Sequence, residues 1–325
     1  MVITTMKRVV AIGELLIDFI PHQTACPLDE VTGFDRVAGG APANVAIAVS
    51  RLGGDSAMIS QVGEDAFGTH LIKNLEAAGV DTSAVFRTSR ANTALAFVSL
   101  DANGDRQFSF YRNPSADLFL DESQISPALL EGAGVLHFCS VDLVDAPVRG
   151  AHRRAIQLAK EAGAIVCFDP NVRLPLWSSP EDCQKAIREF LPLADIVKLS
   201  DEEVEFVTGV ADMDAAARGL LEGGAGMVVV TLGADGAAVF TKAGKARCGV
   251  VPGPVADTTG AGDSFIGSLL YQLCRDDVTP ADLAGLEADR LAEYLRFSSH
   301  YAALTVAQKG AVMATLEQVQ HSMEG

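Results

Sequence analysis

The sequence predicts an α/β fold, a central and mostly parallel sheet with helices on both faces, and three observations predict it. From Gly134 onward, short runs rich in Val, Ile and Phe alternate with longer helix-like stretches, as parallel strands joined by helical crossovers require. Nearer the N-terminus, residues 93–100 and 105–111 alternate apolar and polar side chains about Asp101-Ala102-Asn103-Gly104, which predicts a hairpin. Residues 255–270 pass from a polar, glycine-rich turn into an apolar periodic run, so a turn feeds a helix there.

With 325 residues, nearly half of them hydrophobic, the chain can bury a large core. No linker, repeat or low-complexity run divides it, so residues 1–325 read as a single domain. The hairpin, together with segments near 14–20 and 32–37, predicts a small sheet apart from the main one, completed by residues 93–112. A net charge of -17 argues against nucleic acid as a partner, because neutralising phosphates needs clustered lysine and arginine. No stretch approaches the roughly 18 apolar residues of a membrane span, and the N-terminal run is interrupted by Glu14 and Asp18 with no cleavage signal. The six cysteines form no C-x-x-C pair and no histidine stands at zinc spacing. They read as the reduced thiols of a cytoplasmic protein.

Residues 8–20 read as one strand carrying Glu14 and Asp18 towards its far end. Ligands of open α/β sheets lie beyond the carboxyl ends of the strands, which makes Asp18 a candidate for hydrogen bonds to a polar ligand. Residues 34–37 read as a short extended piece. Gly39-Gly40-Ala41-Pro42-Ala43-Asn44 then precedes VAIAVSRLGG, a helix closed by Gly53-Gly54. Two glycines before a helix let a ligand approach the backbone closely, and Asn44 can donate to and accept from hydroxyls; an ordinary helix cap is the alternative. Residues 59–68 read as strand and turn, and 69–79 as a helix ending in glycine.

Beyond Gly134, VLHFCSV, AIVCFDP, DIVKLS, MVVVTLG and AAVFT read as strands, with helices near 147–162, 180–190, 201–208 and 288–303. Three of the strand ends carry polar groups where a ligand would lie. Asp169, Asn171 and Arg173 follow one; Lys198, Ser200 and Glu203 the next; Thr231, Gly233 and Gly236 the third. Each alone could be a cap or turn, and their convergence on one sheet edge is the stronger argument.

In the turn Asp257-Thr258-Thr259-Gly260-Ala261-Gly262-Asp263-Ser264, Gly260 and Gly262 allow successive N–H groups to converge on one point at a helix N-terminus. Such a point suits phosphate oxygens. Asp263 would repel the anion that the amides attract, unless it acts as a base that takes a proton from a substrate hydroxyl while the amides hold the phosphoryl group. Neither the P-loop GxxxxGK[ST] nor a protein-kinase HRD pattern is present, and no G-x-G-x-x-G follows the first strand.

The nonapeptide DTTGAGDSF and the upstream GGAPANVAIAVSRLG resemble the two signatures of the ribokinase-like, or PfkB, carbohydrate kinases. The resemblance implies that the small sheet is a lid over the sugar and that Asp18, Gly39, Gly40 and Asn44 bind it. Phe108, Phe110 and Arg112 are the lid residues expected to face the sugar or a neighbouring subunit. It further implies ATP as phosphoryl donor, Asp263 as base, and Gly260, Ala261 and Gly262 as the anion hole. Lys198, Ser200, Thr231, Gly233 and Gly236 fall on the nucleotide side, and small residues such as Ala302 close the adenine pocket. Glu203 stands where the family has an N-x-x-E motif whose acid organises Mg2+ through water, although Ser200 replaces the asparagine. Asp257, Thr259, Thr305 and Gly310 fall where relatives hold a monovalent cation, and their oxygens suit K+. Arg173 is assigned either to phosphate or to substrate.

Across nearly the full chain, segments such as GELLIDFIP, TALAFVSLDANGDRQFSFYRNPSADL and KLSDEEVEF are similar to fructokinases, which implies D-fructose 6-phosphate as product. Aminoimidazole riboside, ribose and 2-keto-3-deoxygluconate kinases share much of this framework. A catalytically silent sugar-binding protein is the alternative of another class, but it would be expected to lose Asp263 or the glycines. Exposed edges of a lid sheet point to a homodimer.

Overall fold

The structure, a computed structural model, describes residues 6–23, 25–100 and 106–324. The hairpin turn expected at 101–104 lies outside the described residues. In chain order the elements are β1 (Arg8–Ile12), β2 (Leu16–Pro21), β3 (Phe34–Gly39), α1 (Ala41–Arg51), β4 (Ser56–Gly63), α2 (Ala66–Ala78) and β5 (Val85–Thr88). Then follow β6 (Ala94–Leu100), β7 (Arg106–Tyr111), β8 (Ala133–Cys139), α3 (Pro147–Glu161), β9 (Ile165–Asp169), α4 (Pro180–Phe190), β10 (Ile196–Ser200), α5 (Asp201–Thr208) and α6 (Met213–Glu222). The chain closes with β11 (Met227–Thr231), β12 (Ala237–Phe240), β13 (Lys245–Cys248), α7 (Ala261–Arg275), α8 (Pro280–Leu283), α9 (Ala288–Val306) and α10 (Leu316–Glu324).

Nine strands make the main sheet, in the order β13-β12-β11-β10-β9-β8-β1-β4-β5. All neighbours are parallel except β11–β12 and β12–β13. Its strands are apolar on both sides because both faces are covered. Along β1, Val10 and Ile12 join the cluster packed by α3, α4, α5 and α6, while Val9 joins the one packed by α1, α7 and α9. The carboxyl ends of β1 and β8–β11 therefore share one edge, and the site lies there.

The single strand expected over residues 8–20 is two strands in two sheets. Hydrophobic periodicity runs through both, but at Gly13 the chain takes φ +151° and leaves the main sheet. A Cβ there would lie 2.6 Å from Cγ of Pro42, so a side chain would collide with the start of α1. β5, α6 and β13 were not separated by the sequence pattern, being short or weakly alternating.

The second sheet has the order β3-β2-β6-β7, with β2 antiparallel to β3 and parallel to β6. β6 and β7 form the expected hairpin. Alternation along these strands separates two faces. Phe19 stacks on Phe97 at 4.7 Å and meets Phe67 of α2 edge-on at 5.9 Å, which ties this sheet to the body. At the foot of the hairpin, the N–H and Oγ1 of Thr93 each donate to Asp65, both at 2.8 Å.

Two helices approach very closely behind the site. A Cβ on Gly267 of α7 would lie 2.8 Å from Cβ of Ala48 on α1, so only glycine permits this contact. Tyr301 of α9, fully buried, donates to the Ala48 carbonyl at 3.3 Å and so closes the same junction.

Candidate active site

A cavity of about 290 Å³ lies between the small sheet, the start of α1 and the glycine turn before α7. Leu16, Asp18 and Ile20 reach it from β2, Val98 from β6, and Phe108 and Phe110 from β7. Gly40, Ala41 and Asn44 line it from α1, and Thr258 to Asp263 line it from the turn. Two segments separated by most of the chain thus meet on one hollow.

Gly40 has φ +115° and caps α1 without a side chain; a Cβ there would sit 2.3 Å from the Glu14 carbonyl oxygen. Gly39 has a different reason to be glycine. A Cβ at that position would lie 2.2 Å from Oδ2 of Asp18, so its absence lets the carboxylate stand against the turn. Asn44 Nδ2 donates to Oδ2 of Asp263 at 2.8 Å, which orients both groups.

Gly260 is left-handed (φ +74°) and starts α7 with no side-chain cap. The first-turn amides of this 15-residue helix therefore face the cavity wall under the positive end of the helix dipole. At Gly262 a Cβ would come within 3.1 Å of Lys198 Nζ, so the glycine makes room for an ammonium beside the turn. Lys198 is buried and paired with Asp169 at 2.9 Å. Burial alone would lower the ammonium's pKa, but the charges of Asp169, Glu203 and Asp263 overcome it and hold Lys198 protonated.

The Asp263 carboxyl is raised above the ordinary aspartate value. Burial pushes its carboxyl up to about 6, the Asn44 hydrogen bond draws it down, and Asp169 pushes it up again; Lys198 and Arg173 oppose that rise. A carboxylate near 6 suits a base working at neutral pH. Arg173 lines the cavity with its guanidinium 5.9 Å from the Phe108 ring, bridging the body and the small sheet.

Other expected residues lie outside this wall. Ser200 and Thr231 are register partners at the ends of β10 and β11, on the same carboxyl edge. Gly233 and Gly236 form the tight turn that follows, and at Gly236 a Cβ would lie 2.0 Å from the Cys248 carbonyl oxygen, so packing alone accounts for that glycine. Ala302 is half-buried on α9 against the core. Glu203 accepts the N–H groups of Val172 and Ser200 at 2.6 and 2.9 Å, one on each oxygen, so its carboxylate is held in a fixed orientation. No group of three or more His, Cys, Asp or Glu able to hold a metal occurs among the described residues. The Glu203 carboxylate, so held, would fit a water ligand of a hydrated Mg2+.

Asp257, Thr259 and Gly310 are drawn together. Asp257 Oδ1 accepts the Thr259 N–H and hydroxyl at 2.9 and 2.6 Å, and Oδ2 accepts the Gly310 N–H at 2.9 Å. Thr305 is fully buried on α9, and its hydroxyl donates back to the Tyr301 carbonyl at 3.3 Å.

Arg112 is a correction. It does not line the cavity; its guanidinium is buried behind the wall and pairs with Asp117 and Asp142. Nε donates to Asp117 at 3.0 Å, and one terminal nitrogen donates to the Val141 carbonyl at 3.3 Å. A buried guanidinium takes carboxylates as partners before it turns to a ligand.

Asn171, expected at a strand end where a ligand would lie, is in the wall and adopts φ +45° there, a left-handed backbone that asparagine tolerates. Its position in DPNVR carried a faint signal. Glu14 lines the cavity from the β1–β2 connection and was read only as a strand acid.

Comparison with known proteins bears on this geometry. Residues 6–318 match the model of the pfkB family carbohydrate kinase. Fructokinase-2 of Solanum habrochaites is 45% identical over 307 residues, covering 94% of this chain and 92% of that protein. The structure of a Xylella fastidiosa fructokinase with bound ATP superposes with a TM-score of 0.88 at 36% identity, covering 98% of each chain. A Vibrio cholerae O395 fructokinase bound to fructose, ADP and calcium gives 0.84 at 34% identity, covering 97% of this chain and 98% of that one.

Proposed function

Because the chain belongs to the pfkB family of carbohydrate kinases, we propose that it is a fructokinase, transferring the γ-phosphoryl group of ATP to D-fructose to give D-fructose 6-phosphate. The observation that carries this reading is the placing of Asp263, held by Asn44 on the sugar side and standing at the uncapped start of α7 on the phosphate side. Fructokinases of similar sequence over 94% of the chain support the choice of sugar.

The chemistry then follows from the residues. Asp263 takes the proton of the attacking hydroxyl as its oxygen bonds to the γ-phosphorus and the bond to ADP breaks. The amides at the start of α7, with Lys198 beside them, stabilise charge on the phosphoryl oxygens. Bound Mg2+ supplies further neutralisation of that charge, with Glu203 as the residue to hold it through water. Phe108 and Phe110 cover the sugar and keep water from competing as acceptor.

Asp257, Thr259, Thr305 and Gly310 are the residues we assign to a monovalent cation site, K+ by their oxygen chemistry. Tyr111, 61% exposed at the end of edge strand β7, supports the homodimer, which sedimentation would test. No helix among the described residues is long and apolar enough to cross a membrane, and six free thiols suit a reducing cytoplasm. ATP consumption measured against D-fructose, D-ribose, 2-keto-3-deoxygluconate and aminoimidazole riboside tests the assignment. Preference for any sugar other than fructose overturns the substrate, and no turnover with any of them overturns the activity.

A further inference from the structure

We propose that Arg173 is a catalytic residue whose guanidinium grips the γ-phosphoryl group during its transfer, rather than a residue that holds the sugar. The proposal deepens the fructokinase reading and rests on it. Arg173 is half-buried and lines the cavity. Lys198 is the other cation in that wall, and the two are left in different states. Asp169 pairs with the Lys198 ammonium at 2.9 Å and offsets its charge. Arg173 has no carboxylate partner among the described residues, although the chain carries 42 acids and nearby Arg112 takes two of them, Asp117 and Asp142. One terminal nitrogen of Arg173 donates to the Val172 carbonyl at 3.0 Å, and its other N–H groups take no acceptor among the described residues. The uncompensated cation of the wall is therefore Arg173.

Its position selects the phosphoryl group as partner. The backbone before it is fixed, because Asn171 turns at φ +45° and Glu203 accepts the Val172 N–H at 2.6 Å. From that anchor the guanidinium stands 5.9 Å from the Phe108 ring of the small sheet. Burial raises the pKa of Asp263 and the charge of Arg173 acts against that rise, so the guanidinium is within electrostatic reach of the base that meets the acceptor hydroxyl. A sugar hydroxyl would occupy one N–H and leave the charge unanswered. A phosphoryl group offers two oxygens to the planar pair of donors and brings the opposite charge. The covalent step is unchanged by this contact. The acceptor oxygen bonds to the γ-phosphorus, the bond to the ADP oxygen breaks with its electron pair staying on ADP, and the proton passes to Asp263. The guanidinium exchanges no proton and stabilises charge alone.

The test compares wild type with Arg173→Met, which keeps the stem and removes the charge, and with Arg173→Lys, which keeps the charge and removes the paired donors. In Arg173→Met kcat should fall about 10²- to 10³-fold with the KM values for D-fructose and ATP within about threefold, as for loss of a donor that acts in the transition state. Arg173→Lys should recover about tenfold of that loss. Calorimetry follows ADP and Mg2+ binding in the presence of D-fructose, with and without aluminium fluoride as a stand-in for the transferred phosphoryl group. The gain in affinity that the fluoride gives wild type should shrink in Arg173→Met by a factor similar to that in kcat. A fructose KM raised about tenfold or more with kcat unchanged would assign Arg173 to the sugar and overturn the proposal. Equal weakening of D-fructose, ADP and the fluoride complex would reduce Arg173 to a support of the fold and overturn it too. A measurement on wild type is independent of how Arg173→Met folds: the ¹⁵N signal of the Arg173 guanidinium, assigned by its absence from Arg173→Lys. It should move when aluminium fluoride is added to enzyme already holding D-fructose, ADP and Mg2+, and an unmoved signal overturns the proposal. Failure of wild type to phosphorylate D-fructose sinks the substrate reading instead, and the same comparison with whichever sugar turns over carries the same outcomes; turnover of none removes the activity and the proposal together.

Discussion

Asn44 and Asp263 stand 219 positions apart in the chain and meet through a 2.8 Å hydrogen bond from amide to carboxylate. The bond joins the residue expected on the sugar to the residue expected to take its proton. It also fixes which Asp263 oxygen remains open to the cavity.

Replacing Asp263 by Asn should abolish turnover while sugar and nucleotide still bind. The expected loss in kcat is about 10²- to 10⁴-fold, the usual worth of a general base. Burial disfavours the ionised Asp263, so its pKa is raised in the fold and its charge costs stability once the pH exceeds the ordinary carboxylate value. The variant's melting temperature should therefore equal or exceed that of wild type at pH 7.5. Near-normal turnover would remove Asp263 from the role of base.

The pH profile should show one ionisation on its acid limb. Asp263 must be unprotonated to accept a proton, and its pKa lies at about 6, so kcat/KM should fall about tenfold per unit below that value and level off above it. Asn44's hydrogen bond lowers this pKa, so Asn44→Ala should move the limb to higher pH as well as raise the fructose KM. A limb that stays in place would separate Asn44 from the base.

The glycines divide by what a methyl would strike. In Gly262→Ala the new Cβ meets Lys198 Nζ at 3.1 Å, the far end of a flexible side chain, so folding should survive and kcat should drop. In Gly40→Ala it meets main-chain oxygen at 2.3 Å in a left-handed backbone. That variant should lose about 1–3 kcal/mol of stability from backbone strain alone, and more from the clash. Urea denaturation and steady-state kinetics on the pair check the split.

Arg112→Met should destabilise without touching the sugar. Removing the cation leaves Asp117, Asp142 and Glu14 buried together, a loss of about 3–5 kcal/mol when they are charged. Protonation of Glu14 and Asp142, both pushed up by burial, relieves this, so the destabilisation should grow as pH rises, and denaturation midpoints at pH 6 and pH 8 should show a larger gap from wild type at pH 8. An equal gap at both would mean that the acids are already neutral.

Much of this site was legible because its logic is local. Gly260 to Asp263 announce an anion turn before a helix, and Gly39 to Asn44 a close backbone approach, from their own residue types. The alternation beyond Gly134 gave the parallel sheet for the same reason. Arg112 misled because its type and hairpin position match a ligand, while Asp142, one of the two acids that claim it, arrives from beyond the end of β8, 30 residues on. Glu14 was passed over for the converse reason. A lone acid in an apolar run does not reveal that one oxygen is held by Ala41 and the other is left bare. The break at Gly13 stayed hidden because hydrophobic periodicity is continuous across two sheets.

The contact of Gly267 with Ala48 locks the helix bearing the base to the helix bearing Asn44, whereas the aromatic roof is tied on separately, through Phe67 and Asp65. The catalytic helices and the small sheet are thus held by separate contacts. Grafting another family member's four strands onto this body should change which acceptor is preferred and leave the catalytic engine running.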